Sequence, residues 1–157
     1  MRALTGLDFE LQAGEFVSII GPSGCGKSTL LRLCGGLLQP DQGRITVDGE
    51  NPDTGRRSKK FGLVPQSPAL LPWLTVRQNI TLLPKVNRGQ GRSQPAGDEV
   101  DRLLDAIGLS PFADALPSAL SGGMQQRVSL ARAFALRPPI LLMDEPFAAL
   151  DEITRSQ

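Results

Sequence analysis

Hydrophobic positions along this chain form two kinds of pattern, short continuous runs and positions at helical spacing. Residues 15–20 form a short β-branched and aromatic run that leads into a glycine-rich turn, and residues 140–143 are continuously apolar. Both runs predict buried strands, the second with the pattern of a central parallel strand that is covered on both faces. Between positions 30 and 38, apolar residues recur at helical spacing, and Pro40 and Gly43 are expected to end that helix.

Four further elements follow from the same pattern. Residues 44–49 alternate and then turn, which suits a half-exposed strand, and residues 61–65 predict another strand that leads into Gln66. Apolar residues between 100 and 107 predict an amphipathic helix, and residues 123–136 predict a second helix with an apolar side.

The order of these elements predicts an α/β fold. Strands, loops and helices alternate at both ends, whereas the middle carries several prolines, a polar glycine-rich stretch at 87–98 and the two later helices. We therefore expect an α/β core of residues 1–66 and 137–157, with an inserted and mostly helical arm at about 67–136.

Composition narrows the range of partners. The 157 residues carry a formal charge of +1, which argues against nucleic acid as the main partner. The sequence has no apolar run near the roughly 18 residues of a membrane span. Contact with a membrane is therefore expected to go through a partner.

The first candidate site is the glycine-rich loop after the first predicted strand. Residues 21–28 read GPSGCGKS, the spacing at which backbone N–H groups curl around phosphate oxygens and a helix N-terminus adds its positive end. Lys27 would reach the β- and γ-phosphates, and the Ser28 hydroxyl would ligate Mg²⁺. The candidate nucleotide-binding residues here are Gly21, Pro22, Ser23, Gly24, Cys25, Gly26, Lys27, Ser28 and Thr29.

A second candidate site lies at the end of the apolar run 140–143. Asp144 and Glu145 place two carboxylates where the predicted strand emerges. Asp144 can hold Mg²⁺ through water, and Glu145 can polarise an attacking water. An acidic strand end is by itself an ordinary feature, so this interpretation depends on the phosphate loop.

A second glycine turn stands about a hundred residues after the first. Residues 120–127 read LSGGMQQR, in which Ser121 is a plausible N-cap and the following N–H groups form an anion site. Simple helix capping explains the turn equally well when it is taken alone. If both turns bind phosphate, one nucleotide would be closed between two copies of the chain.

These two motifs together resemble the ATP-binding subunits of ABC transporters, and residues 131–133, Ala-Arg-Ala, extend the likeness. The resemblance implies a P-loop NTPase core of the RecA-like type with an inserted helical arm. The runs Leu71-Pro72-Trp73, Met143 to Phe147 and Thr154-Arg155 are similar to those of the nitrate, sulfonate and taurine importers.

The resemblance also implies roles for single residues. ATP and Mg²⁺ would be bound, Glu145 would activate water, and Gln66 would sense the metal and the γ-phosphate and tilt the arm. The implied metal ligands are Ser28, Gln66 and Asp144. The implied contacts to the opposite copy are Ser121, Gly122, Gly123 and Asp151.

The implied partners are a second copy in a head-to-tail ATP sandwich, transmembrane permease subunits and, indirectly, a solute-binding protein, with no nucleic acid. The expected location is cytoplasmic, on the inner face of the cell membrane. Trp73 and Leu71 would anchor the permease, although core packing of Trp73 is an equal alternative.

The sequence departs from the family in two respects. It contains no histidine, whereas the family places one after the D-loop, and no tyrosine precedes Gly21 to stack on adenine. We therefore expect a subunit cut at both ends, with an incomplete C-terminal part and weaker turnover. The alternatives are a soluble ABC ATPase of DNA repair or translation, and a truncated module that binds ATP without turnover.

Overall fold

The computed structural model describes residues 4–87 and 97–147 and divides the chain into two units, residues 1–59 and 60–157. The described part of the first unit contains two helices. The described part of the second contains two strands, three helices and two 3₁₀ turns, Ser110–Phe112 and Pro117–Ala119. In chain order the elements are α1 (Lys27–Cys34), α2 (Pro52–Arg57), β1 (Phe61–Val64), α3 (Val76–Val86), α4 (Gly97–Ala106), α5 (Gly122–Ala135) and β2 (Ile140–Met143).

Helix α1 confirms the helix predicted after the phosphate loop but ends earlier than expected, at Cys34. The Gly36 N–H donates to Leu33 O at 3.1 Å, and the Leu37 N–H donates to Arg32 O at 2.8 Å. This is the Schellman pattern, in which a residue with positive φ satisfies the last carbonyls of a helix. Gly36 has φ +66°, and this capping pattern ends α1 before Pro40. The position also has no room for a side chain, because an added Cβ would lie 2.6 Å from the Pro52 backbone.

The predictions of two strands in the first unit, at residues 15–20 and 44–49, are wrong. Residues 15–20 form no strand, and all of them are exposed. Residues 44–49 contribute only one isolated bridge, between Val47 and Glu50. A strand needs a neighbour to accept its backbone hydrogen bonds, and no ladder forms among the described residues of this unit. The β-branched composition therefore did not lead to a strand here.

The two strands of the second unit confirm the prediction of a parallel sheet. Strand β1 pairs with β2 in the register Phe61 with Ile140 through Val64 with Met143. All four residues of β2 are half-buried rather than fully covered, so the expectation of a strand covered on both faces is wrong for the described part of the chain. Parallel pairing places the carboxyl ends of both strands, and the residues that follow them, at one edge.

Helix α3 was not predicted as a separate element because Pro84 lies within it. Its start is nevertheless encoded locally, since Thr75 and Gln78 form a reciprocal capping box. Helices α4 and α5 confirm the two predicted helices, and α4 begins before Val100, at Gly97. These three helices enclose one apolar cluster: Val76, Ile80, Val100, Leu104, Leu109, Ala113, Leu120, Val128, Ala131 and Ala135.

Each helix among residues 4–87 and 97–147 is too short or too polar to cross a bilayer. The division into a core and an arm at residues 66 and 137 stays a prediction.

Candidate functional site

The phosphate loop of the first unit runs directly into α1. Gly26 is the N-cap residue and has φ +99°, a conformation that residues with a Cβ rarely adopt, which explains a glycine at this position. The Lys27 ammonium folds back over the loop and donates hydrogen bonds to the carbonyl oxygens of Gly21 at 2.8 Å and Pro22 at 2.9 Å. The Lys27 ammonium therefore lies beside the loop backbone. Phosphate oxygens that bind there would compete with the two carbonyl oxygens for its hydrogen bonds.

The two cysteines of the first unit differ in exposure. Cys25 in the phosphate loop is exposed, whereas Cys34 at the end of α1 is half-buried. Burial raises the pKa of the Cys34 thiol, which lowers the fraction of reactive thiolate at neutral pH.

We expect iodoacetamide to modify Cys25 several times faster than Cys34 at pH 7.5, because Cys25 is more accessible and burial disfavours the Cys34 thiolate. Peptide mass spectrometry over a time course measures both rates in one sample. Cys25→Ser should remove the fast phase and Cys34→Ser should leave it. A faster reaction at Cys34 would contradict the description of the loop.

In the second unit, the structure brings together two predicted site residues from distant parts of the sequence. Gln66 follows β1 and Glu145 follows β2, and the Gln66 Nε2 group donates a hydrogen bond of 2.9 Å to Glu145 Oε2. The Asp144 backbone N–H donates to Val64 O at 2.9 Å, which continues the parallel ladder beyond β2. The carboxyl edge of the sheet therefore presents an amide and a carboxylate in direct contact.

The backbone at Glu145 is unusual. Its φ of +48° lies in the left-handed region, and the residue is exposed, whereas Asp144 is half-buried. Left-handed backbone at a residue with a side chain costs free energy and is concentrated at functional positions. The conformation turns the chain sharply after β2, where the Glu145 carboxylate meets Gln66.

The second glycine turn begins α5. Ser121 is the N-cap, and its Oγ accepts a hydrogen bond of 3.3 Å from the Met124 N–H, which confirms the predicted cap. Ser121 and Gly122 are exposed, but Gly123 is buried within the chain. Of this turn, therefore, Ser121 and Gly122 are the residues presented to solvent. Asp151, another predicted contact to a second copy, lies outside the described residues.

The sequence reasoning missed Asn79, which is fully buried at the start of α3. Its side chain accepts from the Leu71 N–H at 2.9 Å and donates to the carbonyl oxygens of Leu71, Leu74 and Thr75 at 3.2, 2.9 and 3.1 Å. These bonds fix the loop that carries Trp73. In the sequence, Asn79 could have been recognised as a buried polar residue because it lies on the same helix face as Val76 and Ile80.

Trp73 itself is 70% exposed, so the alternative that it packs in the core is wrong. The exposed ring stands on a loop that Asn79 ties to α3. A large aromatic side chain on a fixed loop is typical of a contact surface.

The three predicted metal ligands carry oxygen atoms of the kinds that Mg²⁺ prefers. Ser28 in the first unit offers a hydroxyl, and Gln66 and Asp144 in the second unit offer an amide oxygen and a carboxylate. The amide nitrogen of Gln66 is directed to Glu145, so Oε1 is the atom with the right chemistry for a cation. Among the described residues no three His, Cys, Asp or Glu side chains cluster as a metal site.

Comparison with known proteins gives the class. The profile of the ABC transporter family matches residues 4–148, and the chain belongs to that family. A solved dimeric bacterial ABC transporter cassette, known also in a post-hydrolysis state with ADP and phosphate, is 38% identical, with a TM-score of 0.79 over 98% of this chain and 70% of its own. The chain thus has the fold of an ABC ATPase cassette.

Among curated proteins, the chain is similar to ATP-binding proteins, two of which are named for import. The chain is 53% identical to an ATP-binding protein of Brucella abortus over 98% of its residues. It is 48% identical to the aliphatic sulfonates import ATP-binding protein of Pseudomonas savastanoi over 97%, and 45% identical to the taurine import ATP-binding protein of Ruegeria pomeroyi over 100%. It spans 57% of the length of each of these three relatives.

Proposed function

We propose that this chain carries the ATP-binding and ATP-hydrolysing site of an ABC importer for sulfonate- or taurine-like solutes. The observation that carries the proposal is the hydrogen bond of 2.9 Å between Gln66 and Glu145, which joins the two residues assigned to sensing and to water activation. The solute class rests on the names of the sulfonate and taurine relatives.

Each residue has a role that its chemistry supports. Lys27 and the backbone of residues 21–29 bind the phosphates, since the ammonium already lies over the loop. Glu145 accepts a proton from the attacking water, and Gln66 fixes the orientation of that carboxylate through its amide nitrogen. Phosphoryl transfer needs mainly positioning and charge neutralisation, so one oriented base suffices.

We propose Ser28, Gln66 and Asp144 as the residues that would hold Mg²⁺. When bound, the ion would neutralise charge on the phosphate oxygens. The proposal uses the oxygen atoms of these three side chains only, because Gln66 directs its nitrogen to Glu145.

The proposed partners follow from two exposed features. The turn at Ser121 and Gly122 would meet the γ-phosphate held by a second copy in a head-to-tail pair, and we propose Asp151 as a further contact to that copy. Gly123 is buried and would support this turn from within the chain. Trp73, with half-buried Leu71 beside it, would contact the permease subunit at the inner face of the membrane.

Binding of ATP tests the first step of the proposal. Lys27→Ala should weaken the affinity for MgATP by roughly 10- to 100-fold, because hydrogen bonds to charged phosphate are stronger than neutral ones. Isothermal titration calorimetry of the purified chain measures the Kd. Lys85→Ala, which removes an exposed lysine of α3, is the matched control and should leave the Kd unchanged. Equal affinities of both variants and the parent chain would contradict the proposal.

The same purified chain allows two alternative functions to be tested. Nucleotide-dependent binding to DNA or ribosomes would favour a soluble ABC ATPase, which the formal charge of +1 disfavours. MgATP binding without any release of phosphate would favour a binding module. The contact of Glu145 with Gln66 favours turnover.

A further inference from the structure

The segment that contains Gln66 is held from both sides by a single helix. Gln126 of α5 is 1% exposed, and its Nε2 group donates to Pro65 O at 3.4 Å, just before Gln66. Arg132 of the same helix donates from Nη1 to Ala69 O at 2.8 Å and from Nη2 to Pro68 O at 2.9 Å. Helix α5 therefore contacts the main chain on each side of Gln66.

Arg132 makes the stronger of these two attachments. Both arms of its guanidinium are engaged, and the residue is half-buried, so the fork has little freedom to reorient. A lysine ammonium can also donate to two carbonyl oxygens, as Lys27 does, but it lacks the planar, pre-organised fork of the guanidinium. The geometry of the contact therefore favours arginine.

The backbone at Ala69 depends on this contact. Ala69 has φ +47°, a left-handed conformation that is unfavourable for a residue with a Cβ. Its carbonyl oxygen is one of the two that accept from Arg132. Arg132 thus contacts a segment whose shape the local sequence does not prefer, three residues after Gln66.

We propose that Arg132 is a positioning residue for the hydrolysis site, which holds Gln66 against Glu145 by fixing residues 68 and 69 on α5. The assignment rests on the proposed function of Gln66 and Glu145. Because Ser121 is the N-cap of the same helix, Gln66 and the turn at Ser121 are attached to one rigid element. A movement of Gln66 would therefore be passed to the turn that meets the second copy.

The test follows the side-chain amide protons of Gln66 by NMR in the complete chain without nucleotide. Arg132→Lys keeps the charge and the aliphatic stem but removes the fork. We expect the Gln66 amide signals to move most of the way towards their positions in Glu145→Ala, where the acceptor is gone. We also expect Ala69 to lose the strong intraresidue contact between its amide and α protons that a left-handed residue shows.

Arg127→Lys is the matched control. Arg127 is also a half-buried arginine of α5, and its Nη1 donates to Ile107 O at 2.8 Å, away from Gln66. Both variants should lose some thermal stability, but only Arg132→Lys should shift the Gln66 signals. Unchanged Gln66 signals in Arg132→Lys, or equal shifts in both variants, would overturn the assignment.

A second measurement needs no substitution. In the parent chain the Nη protons of Arg132 should show NOE contacts to protons of Pro68 and Ala69, and their absence would also overturn the assignment. Neither measurement uses ATP, so a chain that fails to bind or hydrolyse ATP would refute the proposed function while the attachment by Arg132 is decided separately.

Discussion

Glu145→Gln lowers the steady-state turnover of MgATP by roughly 10²- to 10⁴-fold, the range that a positioned general base contributes. The substitution is nearly isosteric and keeps an oxygen that can accept the hydrogen bond from Gln66 Nε2. What it removes is the negative charge that accepts a proton from water. The affinity for MgATP should therefore stay close to that of the parent chain, so that kcat falls while binding is retained.

Phosphate release under saturating MgATP measures this loss, and calorimetry measures the retained binding. Glu10→Gln is the matched control, since Glu10 is an exposed carboxylate in the first unit and should leave kcat unchanged. Turnover that survives in Glu145→Gln would assign water activation to another group and would remove the basis for the role of Gln66.

Asn79→Ala lowers the free energy of unfolding of the second unit by about 3 kcal/mol, because buried backbone groups lose their partners. The Leu71 N–H and the Leu74 carbonyl lose hydrogen bonds of 2.9 Å each. The side chain is fully buried, so solvent cannot replace it without opening the loop. Trp73 then loses the fixed loop on which it stands, and its fluorescence anisotropy should fall.

Urea unfolding followed by circular dichroism measures the change in stability. Asn87→Ala is the control, because Asn87 follows the last residue of the same helix and is only half-buried. Its effect should stay within about 0.5 kcal/mol. Asn79→Asp keeps the acceptor for the Leu71 N–H but sets a buried carboxylate oxygen against the carbonyl oxygens of Leu71, Leu74 and Thr75, so it should destabilise the unit at least as much as Asn79→Ala. Equal effects of Asn79→Ala and Asn87→Ala would contradict the role of Asn79.

Short-range features were predictable from the sequence to the extent that their causes lie within a few residues. The helix after Lys27, the cap at Ser121 and the helix that follows it depend on hydrogen bonds along a single turn, and all three were predicted. The end of α1 was placed too late. The prediction used Pro40 as the residue that stops the helix, whereas the capping pattern at Gly36 ends it earlier. Strand 15–20 was predicted from composition, but composition does not supply a partner strand.

The sequence by itself determined the glycine-rich loop at Lys27 and the turn at Ser121, and it predicted which residues would bind phosphate and a cation. Only the tertiary structure decided that Gln66 meets Glu145 across 79 positions of sequence. It also decided that Asn79 ties down the loop of Trp73 and that Arg132 holds residues 68 and 69. The reason is physical: a loop or cap is stabilised by its own neighbours, whereas a contact between distant residues exists only after parallel strands and packed helices have set the distance between them.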